Sequence, residues 1–309
     1  EGSDMEILDF IWYGGDSTYE NGNMLIENET VKKADIIFAV GGGRACDTCK
    51  YIADVMDKPL FTFPTLASNC AAVTAICVMY NPDGTFKDYY YPKLADHSFL
   101  NTAVIASSPE QLLWAGIGDA LSKECEVMTS SEKQKLAHTP LMGRQLSGIC
   151  TQPLLENGKQ SLEDIKKNIA SKSLEEVALD IIISTGIVSN LTTTEDDYYF
   201  NSSIAHCIYY GATITKNGHK HLHGEIVALG VLFLYQYTHQ YDMYNKVAEF
   251  NYSVGLPVCF DDFEAMCDKV IDNVEWKNSK EILGLTKEKY LDAMYATNEA
   301  GRKFKAEHK

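Results

Sequence analysis

No apolar run in this chain approaches the roughly 20 residues that a membrane-spanning helix needs, and its opening residues do not read as a signal peptide. Cations are scarce: 27 Lys and Arg stand against 43 Asp and Glu, for a net charge of -16. That balance argues against nucleic acid, because phosphate binding needs clustered basic side chains. The basic group Arg302, Lys303, Lys305 and Lys309 reads as a solvated helix end. Internal repeats and low-complexity segments are lacking too. The nine cysteines are odd in number and scattered through apolar or helical positions, which suits a reducing cytoplasm rather than a disulfide framework. Cys46-Asp47-Thr48-Cys49 has redox-motif spacing, but it sits inside a helical stretch, which argues against thioredoxin-like chemistry.

What is present is an ordinary globular composition, 45% hydrophobic and 23% charged over 309 residues, long enough for two domains with a core each. Up to residue 108, strand-like runs (Ile7 to Tyr13, Ile36 to Val40, Leu60 to Phe63, Val73 to Tyr80, Thr102 to Ala106) alternate with helical ones. Ser17 and Glu20 have capping-box spacing and open a helix toward Lys33. Pro82-Asp83-Gly84 predicts a hairpin turn between Val78 to Tyr80 and Phe86 to Tyr91. From Ser108-Pro109-Glu110 onward the patterning is helical. Leu174 to Thr185 and Glu225 to Tyr235, apolar on most faces, are expected as buried core helices. The expected architecture is an α/β nucleotide-binding domain with a Rossmann-like parallel sheet, residues 1–108, followed by an all-α domain, residues 109–309.

Two groups of residues suggest chemistry. The apolar run Ile36 to Val40 reads as a buried strand, followed by Gly41-Gly42-Gly43-Arg44 and then a helix marked by Ala45, Ile52, Ala53, Val55 and Met56. Strand, glycine turn and helix make a phosphate cradle, since glycines let backbone N–H groups approach an anion at a helix N-terminus. The spacing is neither the dinucleotide fingerprint nor a P-loop, and a plain tight turn reads equally well. The second group is Asp119, in Gly116-Ile117-Gly118-Asp119-Ala120-Leu121, with His206 and, seventeen residues later, His223. One carboxylate and two imidazoles from three segments can close around a divalent metal and leave a position for a substrate oxygen. Either histidine alone is more often a packed core or surface residue.

Taken in order, these pieces resemble the iron-containing alcohol dehydrogenase superfamily, closest to its glycerol dehydrogenase-like branch. Gly14-Gly15-Asp16-Ser17, the segment Gly41 to Lys50, Phe63-Pro64-Thr65-Leu66-Ala67-Ser68, Tyr80-Asn81-Pro82-Asp83-Gly84, Gly116 to Leu121, Ala205-His206 and His223-Gly224-Glu225 follow that family's sequence. The resemblance implies a dehydroquinate synthase-like fold. It implies a metal held by Asp119, His206 and His223, facing NAD or NADP. Gly42, Gly43 and Arg44 would line the pyrophosphate, with Thr65, Ser68, Thr74 and Tyr80 toward the nicotinamide. The implied reaction is oxidation of an alcohol, in which a Lewis-acidic metal stabilises the alkoxide while nicotinamide accepts the hydride. A small-molecule alcohol or hydroxy acid and a homo-oligomer are the expected partners.

Several departures bear on the details. Iron-dependent members carry a further histidine one turn after the aspartate; here that place holds Lys123, which tilts the metal toward zinc, with iron the alternative. Arg44 stands where Lys is commoner. Cys70 occupies the place of an aspartate that contacts the polyol, so a 2-hydroxycarboxylate is the alternative substrate. The family's first strand and helix have no counterpart, so the nucleotide domain reads as N-terminally truncated and NAD and NADP stay undistinguished. The rivals are a non-catalytic metal-binding relic and a lyase of the dehydroquinate synthase type. The lyase needs a basic cluster, and His219, Lys220 and His221, the dense basic group near the metal motif, read instead as a solvated loop after Asn217-Gly218.

Overall fold

The structure, a computed structural model, describes residues 5–193, 199–216, 218–260 and 263–308. Strands β1 (Ile37–Gly41), β2 (Leu60–Pro64) and β5 (His97–Ser98) form a parallel sheet in the order β1-β2-β5. Strands β3 (Cys77–Tyr80) and β4 (Phe86–Tyr90) make the expected antiparallel hairpin, with a register shift at Met79/Tyr80. Around them lie α1 (Tyr19–Ile26), α2 (Glu29–Lys33) and α3 (Gly43–Val55).

From Thr102 onward the described residues are helical: α4 (Thr102–Ala106), α5 (Glu110–Ala120), α6 (Ser122–Ser130), α7 (His138–Ser147), α8 (Gln152–Ile165), α9 (Lys172–Leu179) and α10 (Thr185–Thr192). Then come α11 (Ile204–Ala212), α12 (His223–Tyr237), α13 (Tyr241–Val254), α14 (Phe263–Asp272), α15 (Val274–Leu283) and α16 (Lys287–Glu307). Helix α12 is buried at every position from Ile226 to Tyr235, as its apolar faces require, and forms the axis of the main core. No helix among the described residues is long and apolar enough to cross a membrane.

Five local expectations differ from the structure. Ile7 to Tyr13 is not a strand; it runs unpaired, with Ile7, Phe10 and Trp12 exposed. Thr102 to Ala106 is a helix, because the Asn101 side chain caps it by accepting the N–H groups of Ala103 and Val104, and this outweighs the β-branched residues. The cap of α1 is Thr18 rather than Ser17, and the helix stops at Ile26 before Asn28 caps a second one. Strand β1 forms where expected, yet only Ala39 in it is buried: α3 packs on one face, while Phe38 and Val40 stand exposed on the other. The stretch Leu174 to Thr185 is helical throughout but passes through a π-turn at Asp180–Ser184.

Candidate metal and nucleotide site

Asp119 sits in the last turn of α5, His206 in the first turn of α11, and His223 opens α12. Their donor atoms lie within 4.8 Å of one another. His223 Nε2 is 3.1 Å and His206 Nε2 3.5 Å from Asp119 Oδ1. That oxygen is buried and accepts no well-formed hydrogen bond, so these two contacts are charge contacts rather than aligned bonds. A buried carboxylate oxygen without a partner, faced by two imidazole nitrogens, is what a cation would satisfy. The donor set therefore fits a divalent metal.

Glycines bring the three helices this close. A side chain at Gly118 would lie 2.9 Å from the Gly224 carbonyl carbon, and one at Gly224 would lie 2.8 Å from the Asp119 amide nitrogen. So α5 and α12 cross backbone to backbone beside Asp119 and His223. Further along α12, a side chain at Gly230 would come within 2.6 Å of Ala205 Cα, next to His206. Gly116, one turn before Gly118's neighbour Asp119, faces the other way: its Cβ would be 2.8 Å from Ser68 Cα.

Glu126 completes the cluster. Its side chain is fully buried, and Oε2 accepts the Nδ1–H of His206 at 2.6 Å. Oε1 accepts the backbone N–H groups of Ser203 and His206 at 2.8 and 3.1 Å. Since a carboxylate only accepts, the proton lies on Nδ1 and Nε2 is left facing Asp119. Burial opposes a charged imidazole, but Glu126 and then Asp119 outweigh it and push His206 up to about 10. Burial likewise works to raise Asp119, yet the charge of His223 and the contacts of both imidazoles hold it well below the carboxylate range. The cluster is thus short of positive charge unless a proton or a metal supplies it.

The glycine loop stands at the C-terminal ends of the parallel strands, where α/β sheets place ligands. Gly42 is the N-cap of α3 and Gly43 its first residue, with no acidic side chain in the first turn, so an anion is welcome there. The loop after β2 covers it: the Thr65 N–H donates to Gly41 O at 3.1 Å, and a side chain at Gly43 would meet Asn69 at 2.7 Å. Arg44 is exposed, lies over the Tyr80 ring at 5.1 Å, and approaches Asp16 at 3.3 Å. Burial raises the Tyr209 hydroxyl against the opposing charge of Arg44, and the Tyr209 ring packs edge-on to His223 at 4.2 Å. Thr74 is buried and held by Lys50, whose ammonium donates to Thr74 O at 3.0 Å and pairs with Asp47 at 2.8 Å. Cys70 is half-buried beside α10, its Sγ 4.0 Å from Ser189 Oγ. Burial drives Cys46 and Cys49 up to about 12, so the redox-spaced pair is inert.

The iron-containing alcohol dehydrogenase family profile matches residues 2–102. Glycerol dehydrogenase of Thermotoga maritima is 33% identical over 254 residues, covering 79% of this chain and 66% of that protein. The chain belongs to the iron-containing alcohol dehydrogenase superfamily. It falls in the glycerol dehydrogenase-like branch, and it spans about two thirds of the length of the Thermotoga protein. Hydroxycarboxylate dehydrogenase A of Escherichia coli is 32% identical, over 64% of this chain and 54% of the relative. Glycerol dehydrogenase of Schizosaccharomyces pombe superposes with a TM-score of 0.82 at 24% identity, covering 96% of this chain and 77% of that one, a likeness of fold. The superfamily implies a divalent metal and a nicotinamide nucleotide.

The sequence reading missed Glu126 and the backbone crossings that set this superfamily member's site. Glu126 lies seven residues after Asp119, two helical turns on, and that spacing was the available signal.

Proposed function

We propose that this chain carries the hydride-transfer site of a metal-dependent, NAD(P)-linked alcohol dehydrogenase of glycerol dehydrogenase type. The observation that carries the reading is the partnerless buried Asp119 Oδ1, faced by His206 and His223. Asp119, His206 and His223 would hold the metal, with zinc favoured over iron because Lys123 replaces a fourth nitrogen ligand. Bound there, a divalent ion supplies Lewis-acid stabilisation of negative charge on a substrate oxygen. Glu126 fixes the His206 tautomer and its ring orientation. Gly42, Gly43 and Arg44 would receive the pyrophosphate, and Thr65, Ser68, Thr74 and Tyr80 would face the nicotinamide side. Residues 1–108 form the nucleotide-binding part in this reading, and residues 109–309 the metal-holding part. The close packing of Gly116 on Ser68 holds the cofactor loop against the ligand helix, which aligns the two reactants and limits water.

A 2-hydroxycarboxylate substrate is the second reading, supported by the neutral Cys70 and by the Escherichia coli relative's activity. Metal analysis of the purified protein, together with an NAD- and NADP-linked screen of diols and hydroxy acids, tests both. Absence of bound metal and of any alcohol-dependent nucleotide reduction removes the proposal.

A further inference from the structure

The metal cluster leaves one buried cation unexplained. Lys123 follows Asp119 by four residues, so the two share a face across the α5–α6 junction. Its side chain is buried, and the ammonium donates to Ser189 Oγ at 3.0 Å, to Asn201 O at 3.5 Å and to Asn201 Oδ1. All three acceptors are neutral, and among the described residues no carboxylate pairs with this ammonium. Ser189 Oγ already donates to Asn201 Oδ1 at 3.0 Å, so no buried charge is needed to tie the two together.

The position of that charge is specific. Ser189 Oγ, which accepts from Lys123, is also the atom 4.0 Å from Cys70 Sγ. Helix α10 is clamped to the Cys70 segment: Asn190 donates to Val73 O and accepts the Ala75 N–H, both at 2.9 Å, and Gly186 lets α10 lie close enough that a Cβ there would touch Cys70 Cβ at 3.4 Å. Lys123 thus stands one hydroxyl group behind the half-buried Cys70.

Resting on the dehydrogenase reading, we infer that Lys123 is a specificity-determining residue that favours a substrate bearing a carboxylate next to the reacting carbinol. It acts through Ser189 and through its charge, as a positioning residue. Lactate and 1,2-propanediol are the test pair, because they differ in little but the charged group. Lys123→Met removes the charge at similar length, and Lys123→Arg keeps it. The non-oxidisable 2-hydroxyisobutyrate, titrated calorimetrically into the metal-loaded protein, reports binding without turnover.

In Lys123→Met the affinity for 2-hydroxyisobutyrate and kcat/KM for lactate should fall about tenfold to hundredfold, the range for losing a charged hydrogen-bond partner. The KM for 1,2-propanediol should change less than about threefold, and Lys123→Arg should recover most of the anion affinity. Equal losses on both substrates, or unchanged anion affinity, overturn the inference. If Lys123→Met does not fold, the unmodified protein decides: preference for the diol over lactate overturns the inference, and preference for lactate supports it. Should no alcohol be turned over, the dehydrogenase reading fails, while calorimetry on the two variants still decides Lys123.

Discussion

Gly224→Ala is the sharpest perturbation of the site, because it adds one methyl group without touching a ligand. That methyl would overlap the Ala115 carbonyl oxygen outright and sit 2.7 Å from its carbon and 2.8 Å from the Asp119 nitrogen, where real contacts essentially never fall under 3.0 Å. The opposing atoms are backbone, so no rotamer relieves the clash. Helices α5 and α12 must separate by on the order of 1 Å or bend, a kind of overpacking that costs about 1–3 kcal/mol. His223 is the adjacent residue and moves with α12. Metal–ligand distances tolerate roughly 0.2 Å, so metal affinity should drop by at least the roughly hundredfold that marks loss of a supporting group. Competition with a chromophoric chelator measures the affinity, and circular dichroism measures the melting temperature. Gly148→Ala is the control, since its Cβ would make only an ordinary 3.6 Å contact. Wild-type metal affinity and melting in Gly224→Ala would refute the argument that this crossing positions the ligands.

Three further outcomes are expected. Glu126→Gln keeps one acceptor for the Ser203 and His206 N–H groups but cannot hold Nδ1–H as a carboxylate does, so metal affinity should fall about tenfold to hundredfold with the fold retained, as the same chelator competition would show. In the metal-free protein His206 is raised to about 10, so its stabilising charge is fully present below its unfolded value near 6.5 and is lost as pH rises toward 10; urea unfolding across that window should show declining stability. Gly43→Val collides with Asn69 and fills the helix N-terminus, so NADH binding followed by fluorescence should weaken strongly while metal content stays unchanged.

The legible parts of this sequence are those whose physics is local. A β-rich run ending in glycines followed by a helical pattern gave β1, its turn and α3, and Pro82-Asp83-Gly84 marked the β3–β4 hairpin. The donor types of Asp119, His206 and His223 were readable as a possible trio, and the structure brings their donor atoms together. The failures have local causes too. Thr102 to Ala106 has strand composition, but the Asn101 cap decides for helix. Ile7 to Tyr13 also has strand composition, yet no described strand pairs with it. Glu126 looked like any helical acid: its spacing from Asp119 was visible, but its contact with an imidazole eighty residues away is set by the tertiary fold.

The motif Gly116-Ile117-Gly118-Asp119 shows why local reading stops where it does. Its two glycines serve opposite neighbours: Gly116 meets Ser68 in the loop after β2, and Gly118 meets Gly224 beside His223. Between them Ile117 is fully buried in the main core and fixes the rotation of α5. Asp119 is therefore located by two backbone contacts, and neither can be adjusted by a side-chain rotamer. A shift of α5 that relieved one contact would tighten the other, which couples the distance between Asp119 and the Ser68 loop to the distance between Asp119 and His223. That coupling explains why a residue with the lowest helix propensity save proline recurs twice within three positions of a buried helix. Two glycines there cost helix stability of about 1 kcal/mol each, and the return is a site whose two halves are held to one helix at contact distance.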